Sequence, residues 1–203
     1  MERLTIEVGG FEVNCSILSE NGKAWIVDPG QDARHILDIL SAKGLEPEAV
    51  LLTHAHFDHI GAIPGLRQTF PDLPVYVHAD DVRVINHPMN QYPPEYPPVG
   101  ELTGLRDSRD LRGVRGLEII ETPGHTPGGV CYCFAAEKLL LSGDTLFAGS
   151  LGRTAHPGGD WATLTKSLAI LAALPADTLV IPGHGPNTTI GAEKRDNPFL
   201  RQA

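Results

Sequence analysis

The stretch Thr53-His54-Ala55-His56-Phe57-Asp58-His59 places four potential metal ligands within six residues. It follows directly on the apolar run 49–53, which is typical of a buried strand. A strand end followed by a turn can project several side chains into one small volume. Histidine nitrogen and carboxylate oxygen are the ligands that a borderline divalent metal prefers. Three His and one Asp rarely cluster in this way by chance, so the stretch predicts a metal site.

Three further candidate ligands each follow a predicted strand and lie among glycine or proline. They are His125 in Thr122-Pro-Gly-His-Thr-Pro-Gly, Asp144 in Leu141-Ser-Gly-Asp-Thr-Leu, and His184 in Ile181-Pro-Gly-His-Gly. Glycine permits a tight backbone approach, and proline fixes a turn. A purely structural His in such a turn would account for any one of these alone. It accounts for them poorly together with the first cluster.

Five histidines and two aspartates suit the ligand needs of two divalent metals. The predicted ligands are His54, His56, Asp58, His59, His125, Asp144 and His184. If Asp144 bridges, each metal has three further protein ligands and room remains for a bridging water or hydroxide. Metal binding lowers the pKa of water from about 15.7 to about 7, which gives a nucleophile at neutral pH.

Length and composition predict one soluble globular domain over residues 1–203. The chain is 41% hydrophobic and 20% charged, which is ordinary for such a protein. Its net charge of −9 and lack of a basic run argue against nucleic-acid binding. No apolar run approaches the roughly 20 residues of a membrane helix. Three cysteines do not make a disulfide framework, so a cytoplasmic location is expected and the thiols are interpreted as packing residues.

Periodicity predicts a mixed sheet layered with helices, because strands come in runs with helices between some of them. The predicted strands are 3–8, 11–18, 24–27, 49–53, 75–77, 117–121, 129–134, 138–142 and 178–181. The predicted helices are 32–43 with Asp32 as N-cap, 59–70, 79–86, 160–173 and 190–196. The inner face of helix 160–173 is expected to carry Trp161, Leu164, Leu168 and Leu171.

Residues 87–110 are predicted to form a long loop. The segment carries five prolines, namely Pro88, Pro93, Pro94, Pro97 and Pro98, and shows little periodicity. Loops of this length in compact domains are functional or disordered. Both interpretations, a lid and a disordered segment, stay open.

These motifs together resemble the metallo-β-lactamase superfamily, and they occur in the order of that family over most of the chain. The resemblance implies an αββα sandwich of two mixed β-sheets flanked by helices, with the site at one edge of the sheets. It implies one metal on His54, His56 and His125 and a second on Asp58, His59 and His184, with Asp144 shared. It also implies that Asp28 of Val-Asp-Pro-Gly supports the ligand loops. A simple turn or N-cap role for Asp28 stays open.

The resemblance is closest to the short, single-domain glyoxalase II-like branch. That branch keeps an aspartate like Asp144, which true β-lactamases of this fold lack, so antibiotic hydrolysis is disfavoured. The elements Gly149-Ser-Leu-Gly-Arg153-Thr, Pro157-Gly-Gly-Asp and the tail from Thr188 to Leu200 are similar to this branch. The chain departs from it in carrying Ala155 and His156 after Arg-Thr, and it lacks the helical C-terminal domain with which full-length glyoxalase II holds glutathione.

The branch implies hydrolysis of a small-molecule thioester, such as S-lactoylglutathione, by a metal-bridging hydroxide. Asp58 would orient the hydroxide or carry its proton. Arg153 would pair with a substrate carboxylate, and His156 is a second candidate for substrate contact. The expected cofactors are two divalent metal ions, with zinc favoured and iron or manganese as alternatives. Neither nucleic acid nor membrane is an expected partner.

Three other functions remain open. A persulfide dioxygenase with a single iron shares most of these residues, and a lactonase or other esterase would use the same hydrolytic chemistry. A non-catalytic metal-binding protein is disfavoured, because structural zinc sites are closed and usually rich in cysteine.

Overall fold

The computed structural model describes residues 1–92, 94, 96–156 and 158–202. Pro93, in the predicted loop, and Pro157, in the Pro157-Gly-Gly-Asp element, lie outside these residues. The chain divides into two compact units, residues 1–111 and 112–203, each with its own sheet. Among the described residues, no helix has both the length and the apolar character needed to span a bilayer.

The first unit contains a six-stranded mixed sheet in the order β1-β2-β3-β4-β5-β6. The strands are β1 Glu2–Val8, β2 Val13–Glu20, β3 Lys23–Val27, β4 Glu46–Leu51, β5 Val75–Val77 and β6 Leu105–Asp107. The helices are α1 Ala33–Ala42, α2 Phe57–Ile60, α3 Ile63–Thr69 and α4 Val82–Ile85, with 3-10 turns at Ala79–Asp81 and Ser108–Asp110. Strands β1 to β3 pair antiparallel, whereas β3 to β6 pair parallel.

The parallel pairing of β3 with β4 sets the position of the first ligand loop. Parallel strands need a crossover connection, and α1 supplies it here. Since the two strands run in the same direction, the residues after their carboxyl ends lie side by side. Asp28 follows β3, and its backbone N–H donates to the carbonyl of Leu51 at the end of β4 (3.0 Å). The loop that begins at Thr53 therefore starts next to Asp28.

The second unit contains a five-stranded mixed sheet in the order β13-β12-β9-β8-β7 and a separate two-stranded hairpin, β10-β11. Its strands are β7 Leu117–Glu121, β8 Val130–Phe134, β9 Leu139–Gly143, β10 Leu146–Phe147, β11 Ser150–Leu151, β12 Leu179–Pro182 and β13 Thr188–Thr189. Its helices are α5 Trp161–Ala172 and α6 Ile190–Asp196, with 3-10 turns at Ala135–Glu137 and Leu200–Gln202. Strands β9 and β12 pair parallel, so Asp144 and His184, which follow them, lie at the same edge.

Most of the predicted elements are confirmed, including the first hairpin, the strands before each ligand and the helix at 190–196. The predicted helix 59–70 is wrong as one element, because it is divided into α2 and α3. Pro64 falls at the start of α3, where no amide donor is needed. The predicted loop 87–110 contains the strand β6 near its end, so that prediction is too long.

Asp32 is the N-cap residue of α1, as predicted, but its side chain makes no capping hydrogen bond to the helix. It adopts a left-handed φ of 57°, and its carboxylate accepts from the backbone N–H of Gly9 (2.8 Å). The prediction that Trp161 lies on the inner face of its helix is wrong, because this first residue of α5 is 53% exposed, with its ring edge-on against Phe199.

The cysteines are buried, as predicted for packing residues. Cys131 and Cys133 lie in the hydrophobic core of the second unit with the inner leucines of α5. Cys15 lies in the core of the first unit, where burial raises the pKa of its thiol. A thiol that stays protonated is a poor nucleophile and a poor metal ligand.

Replacement of Leu168 by Ala should lower the free energy of unfolding by about 2–5 kcal/mol, because it leaves a cavity in a core where Leu168 is 1% exposed. Ile170→Ala on the same helix is the control, since Ile170 is 50% exposed. Its effect should stay within about 0.5 kcal/mol. Urea unfolding of the two variants measures the difference, and equal losses would contradict this packing.

Candidate metal centre

The ligand loop of the first unit changes from extended to helical backbone within six residues. His54 follows β4, His56 has extended φ and ψ at the N-cap of α2, and Asp58 and His59 lie in the first turn of that helix. The ring of His54 lies 4.8 Å from that of His56 and 4.1 Å from that of His59, measured between centroids. All four side chains are buried. The fold therefore concentrates nitrogen and oxygen donors in one small volume.

A chain of hydrogen bonds fixes the tautomer of His54. The hydroxyl of Thr53 donates its only proton to Oδ2 of Asp28 (2.6 Å). Nδ1 of His54 lies 3.1 Å from the same hydroxyl oxygen, so Nδ1 must be the donor there. In the neutral ring the lone pair is then on Nε2, the nitrogen available to a metal.

Asp28 also approaches a second ring of the loop. Its Oδ1 accepts from the backbone N–H of Thr53 (2.8 Å), and its Oδ2 lies 3.1 Å from Nδ1 of His59. Asp28, His54 and His59 each offer one potential ligand atom, and these atoms lie within 4.8 Å of one another. The carboxylate already accepts from Thr53 twice. These contacts suit the orientation of the two histidines better than direct coordination.

Asp81 and Gly30 contact the ligand loop closely, although the sequence patterns did not single them out. The carboxylate of Asp81, which is fully buried, accepts from the backbone N–H of Ala55 (3.0 Å). Gly30 lies so close to the loop that a Cβ there would overlap the backbone oxygen of Asp58. Gly30 was visible only as part of a turn, and nothing in the sequence links Asp81 to a loop 26 residues earlier.

Asp144 is the centre of the ligand set in the second unit. Its Oδ2 lies 3.5 Å from Nε2 of His125 and 3.7 Å from Nε2 of His184. Two ligands at about 2.0–2.2 Å from one ion are themselves about 3–4 Å apart. The spacing therefore suits a carboxylate that shares a metal ion with each of the two histidines.

A backbone carbonyl fixes the tautomer of His125. Nδ1 of this ring lies 2.6 Å from the carbonyl oxygen of Arg153, which can only accept, so Nδ1 carries the proton. The neutral ring then presents its lone pair on Nε2, the atom that faces Asp144. The neighbouring Gly152 allows this approach, because a Cβ there would overlap the backbone oxygen of Asp144 and lie 2.9 Å from Nδ1 of His125.

A buried polar network supports the hairpin that leads to Arg153. Glu193 on α6 accepts from the backbone N–H of Gly149 (2.8 Å) and from the hydroxyl of Thr188 (2.6 Å). Asn197 donates to Glu193 (2.8 Å) and to the carbonyl of Ser150 (3.0 Å). The sequence indicated this tail only as a family motif. The structure shows that it anchors the turn between β10 and β11.

The two predicted substrate residues lie near this hairpin but make no contact that assigns them a substrate. The side chain of Arg153 is exposed, whereas its backbone carbonyl accepts from Nδ1 of His125. His156 is half-buried, and its carbonyl accepts from the backbone N–H of Gly159 (2.9 Å). Their roles in substrate binding stay predictions.

The donor chemistry fits divalent metal ions. His54 and His125 are held with Nε2 as the unprotonated nitrogen, and Asp144 has two histidine Nε2 atoms at coordination spacing. The remaining donors are imidazole nitrogens and a carboxylate, which zinc, iron and manganese all accept. The predicted ligand positions thus carry residues with suitable donor atoms.

Asp28→Asn should weaken zinc binding by about 10–100-fold, because an amide cannot accept from Thr53 twice and also face Nδ1 of His59. Asp38→Asn is the control, since Asp38 is exposed and pairs with Arg34 on the same helix. Competition with a chromophoric chelator measures both affinities. Equal zinc affinity in the two variants would show that Asp28 does not support the ligands.

Comparison with known proteins gives matches over most of the chain. A model of the metallo-beta-lactamase superfamily matches residues 8–184. Hydroxyacylglutathione hydrolase GloC of Haemophilus influenzae is 34% identical over 204 residues, which cover 96% of this chain and 96% of that protein.

Two solved structures match nearly the whole chain. The B3 metallo-beta-lactamase BLEG-1 is 37% identical, with a TM-score of 0.88 over 98% of this chain and 99% of that one. TTHA1623, in a di-iron-bound form, is 35% identical, with a TM-score of 0.88 over 97% of this chain and 99% of that one. The predicted fold class, two mixed sheets flanked by helices, is confirmed.

Proposed function

Because the chain belongs to the metallo-beta-lactamase superfamily, we propose that it is a glyoxalase II-like metallohydrolase that cleaves a thioester such as S-lactoylglutathione. The observation that carries the proposal is Asp144, whose carboxylate lies at coordination spacing from both His125 and His184. Glyoxalase II-like members keep this aspartate. The likeness to GloC, named as a hydroxyacylglutathione hydrolase, gives further support.

We propose that two divalent metals are held on the family's pattern. One takes His54, His56 and His125, the other takes Asp58, His59 and His184, and Asp144 is shared. When bound, such ions supply a water of lowered pKa and an electrophilic centre for the substrate carbonyl. Zinc is our first proposal. Iron is the alternative supported by the di-iron form of TTHA1623, and manganese is a further alternative on donor chemistry alone.

The chain's own residues prepare the site for this chemistry. Thr53 and the carbonyl of Arg153 hold protons on Nδ1 of His54 and His125, which keeps each Nε2 unprotonated. The carboxylate of Asp58 lies 3.9 Å from Nε2 of His59 and is proposed to hold a proton of the attacking water. Arg153 and His156 are proposed to contact a small-molecule substrate, with neither nucleic acid nor membrane as a partner.

A second candidate function is hydrolysis of a β-lactam. The likeness to BLEG-1, named as a B3 metallo-beta-lactamase, supports it and weakens the prediction that Asp144 disfavours antibiotic hydrolysis. Amide and thioester hydrolysis need the same activated water, so the metal ligands do not distinguish a β-lactamase from a thioesterase. Substrate preference distinguishes the two functions.

Metal quantification on the purified protein, paired with substrate assays, tests the proposal. We expect two metal ions per chain and turnover of S-lactoylglutathione well above that of a chromogenic cephalosporin. Preference for the cephalosporin would favour the β-lactamase. One iron per chain with oxygen uptake on glutathione persulfide would favour the dioxygenase, and activity on lactones alone would favour a lactonase. A metal-loaded protein without activity on any of them would contradict the enzyme proposal.

Asp144→Ala should remove one metal equivalent and lower thioester turnover by more than about 100-fold, because two ions lose a shared ligand. Asp177→Ala is the control in the same unit, since Asp177 is exposed and pairs with Lys138 at the surface. Metal content and kcat are measured on both. Full metal content and activity in Asp144→Ala would exclude the bridging role.

A further inference from the structure

Asn90, in the Pro-rich segment 87–110, is buried and uses its amide on the ligand loop. Its Oδ1 accepts from the backbone N–H of Phe57 (2.9 Å). Its Nδ2 donates to the carbonyls of Ala55 (2.9 Å) and Ile85 (3.2 Å). The partners settle the orientation of the amide, because an N–H must face an acceptor and a carbonyl must face a donor. Asn90 is 6% exposed, so water offers little replacement for these bonds.

The two loop partners of Asn90 lie on either side of His56. The carbonyl of Ala55 belongs to the peptide group before His56, and the N–H of Phe57 belongs to the peptide group after it. The φ and ψ angles of a residue are the rotations of these two peptide groups about its Cα. One side chain thus restrains both backbone angles of His56, which are −67° and 149°, and so the direction in which its ring points.

We propose that Asn90 is a positioning residue that sets the metal affinity of the site by fixing the backbone of His56. The inference rests on the proposed role of His56 as a metal ligand. Functional sites need their ligands within about 0.5 Å of the productive geometry. A histidine at a turn, outside any strand ladder, reaches that precision only if its flanking peptide groups are held. Asp81 restrains the same loop at the N–H of Ala55.

Aromatic packing holds the segment around Asn90 in place. The ring of Phe57 stacks on Tyr92, with centroids 5.9 Å apart and planes at 13°, and meets Tyr96 edge-on at 5.2 Å. The hydroxyl of Tyr96 accepts from the backbone N–H of Phe11 (3.2 Å), and burial raises the pKa of this phenol. Tyr92 and Tyr96 also pair through their backbones. Asn90, Tyr92 and Tyr96 therefore contact the ligand loop directly, which favours a fixed brace over a lid at these residues.

The chemistry of the amide points to a near-isosteric test. Asn90→Asp keeps an acceptor for the N–H of Phe57 but loses both donations, and it turns a carboxylate oxygen toward two carbonyl oxygens. Asn90→Ala removes all three bonds without adding charge. Asn86→Asp is the matched control, because Asn86 is exposed, lies four residues earlier and receives the same charge.

Zinc affinity by chelator competition, the absorption bands of the cobalt-loaded protein and the unfolding of the metal-free protein are measured for each variant. We expect both Asn90 variants to bind zinc at least about 10-fold more weakly than the parent and to shift the cobalt bands. Their kcat for the thioester should fall while KM is unchanged. Asn86→Asp should match the parent in every measurement.

Wild-type zinc affinity and cobalt bands in Asn90→Asp and Asn90→Ala would overturn the inference, even if both variants are less stable. Failure of both variants to fold without metal would also overturn it, because Asn90 would then serve the whole fold rather than the site. If the parent binds neither zinc nor cobalt, the proposed metallohydrolase fails together with the inference. If the parent binds metal and hydrolyses the thioester, and both Asn90 variants behave like the parent, the proposed function holds and only the inference about Asn90 fails.

Discussion

The contact between Asp28 and Thr53 is the interaction on which the ligand loop of the first unit depends. It joins the ends of two parallel strands, β3 and β4, through a backbone amide and a hydroxyl. Asp28 takes a left-handed φ of 49° there, a conformation that Asp tolerates better than most residues. Hydrogen bonds to a charged group contribute about 1.5–3 kcal/mol each, and Thr53 supplies two of them to this buried carboxylate. The same group then approaches His59.

The second unit meets the same constraint by a different route. Buried imidazole and carboxylate groups are costly unless partners orient them. A carbonyl holds His125, and the hairpin that supplies this carbonyl is anchored by Glu193 and Asn197. Again the candidate ligands Asp144 and His184 follow two parallel strands, β9 and β12. In both units the sheet brings candidate donors side by side, and buried polar groups behind them set the ring orientation.

Much of this organisation could be predicted from local sequence patterns, whereas the parts that depend on long-range contacts could not. The strands before each ligand were predictable because apolar runs and glycine turns are local signals. The candidate ligands could be singled out because four donors rarely fall within six residues by chance. The contacts of Asn90 and Asp81 could not be predicted, because a buried amide or carboxylate looks the same in a sequence as an exposed one. The carboxylate of Asp32, at the predicted N-cap, was equally unpredictable, because it bonds to Gly9, 23 residues away, rather than to its own helix. Trp161 has helical spacing with the buried Leu164 but is itself 53% exposed.

The proposed metal ligands and the proposed substrate residue Arg153 differ in how the fold holds their side chains. The candidate ligands lie at strand ends or at the start of a helix, and buried hydrogen bonds fix the rings of His54 and His125. The candidate substrate residue Arg153, in contrast, contributes its backbone to His125 and exposes its side chain. Its side chain can therefore change without disturbing the tautomer of the ligand. Relatives named for hydroxyacylglutathione hydrolysis and as a B3 metallo-beta-lactamase are both more than 30% identical to this chain. If the exposed side chain of Arg153 contacts substrate as proposed, its replacement would change substrate preference alone. Loss of a buried partner of a proposed ligand, such as Asp28, would instead weaken metal binding and with it any reaction that needs the metal.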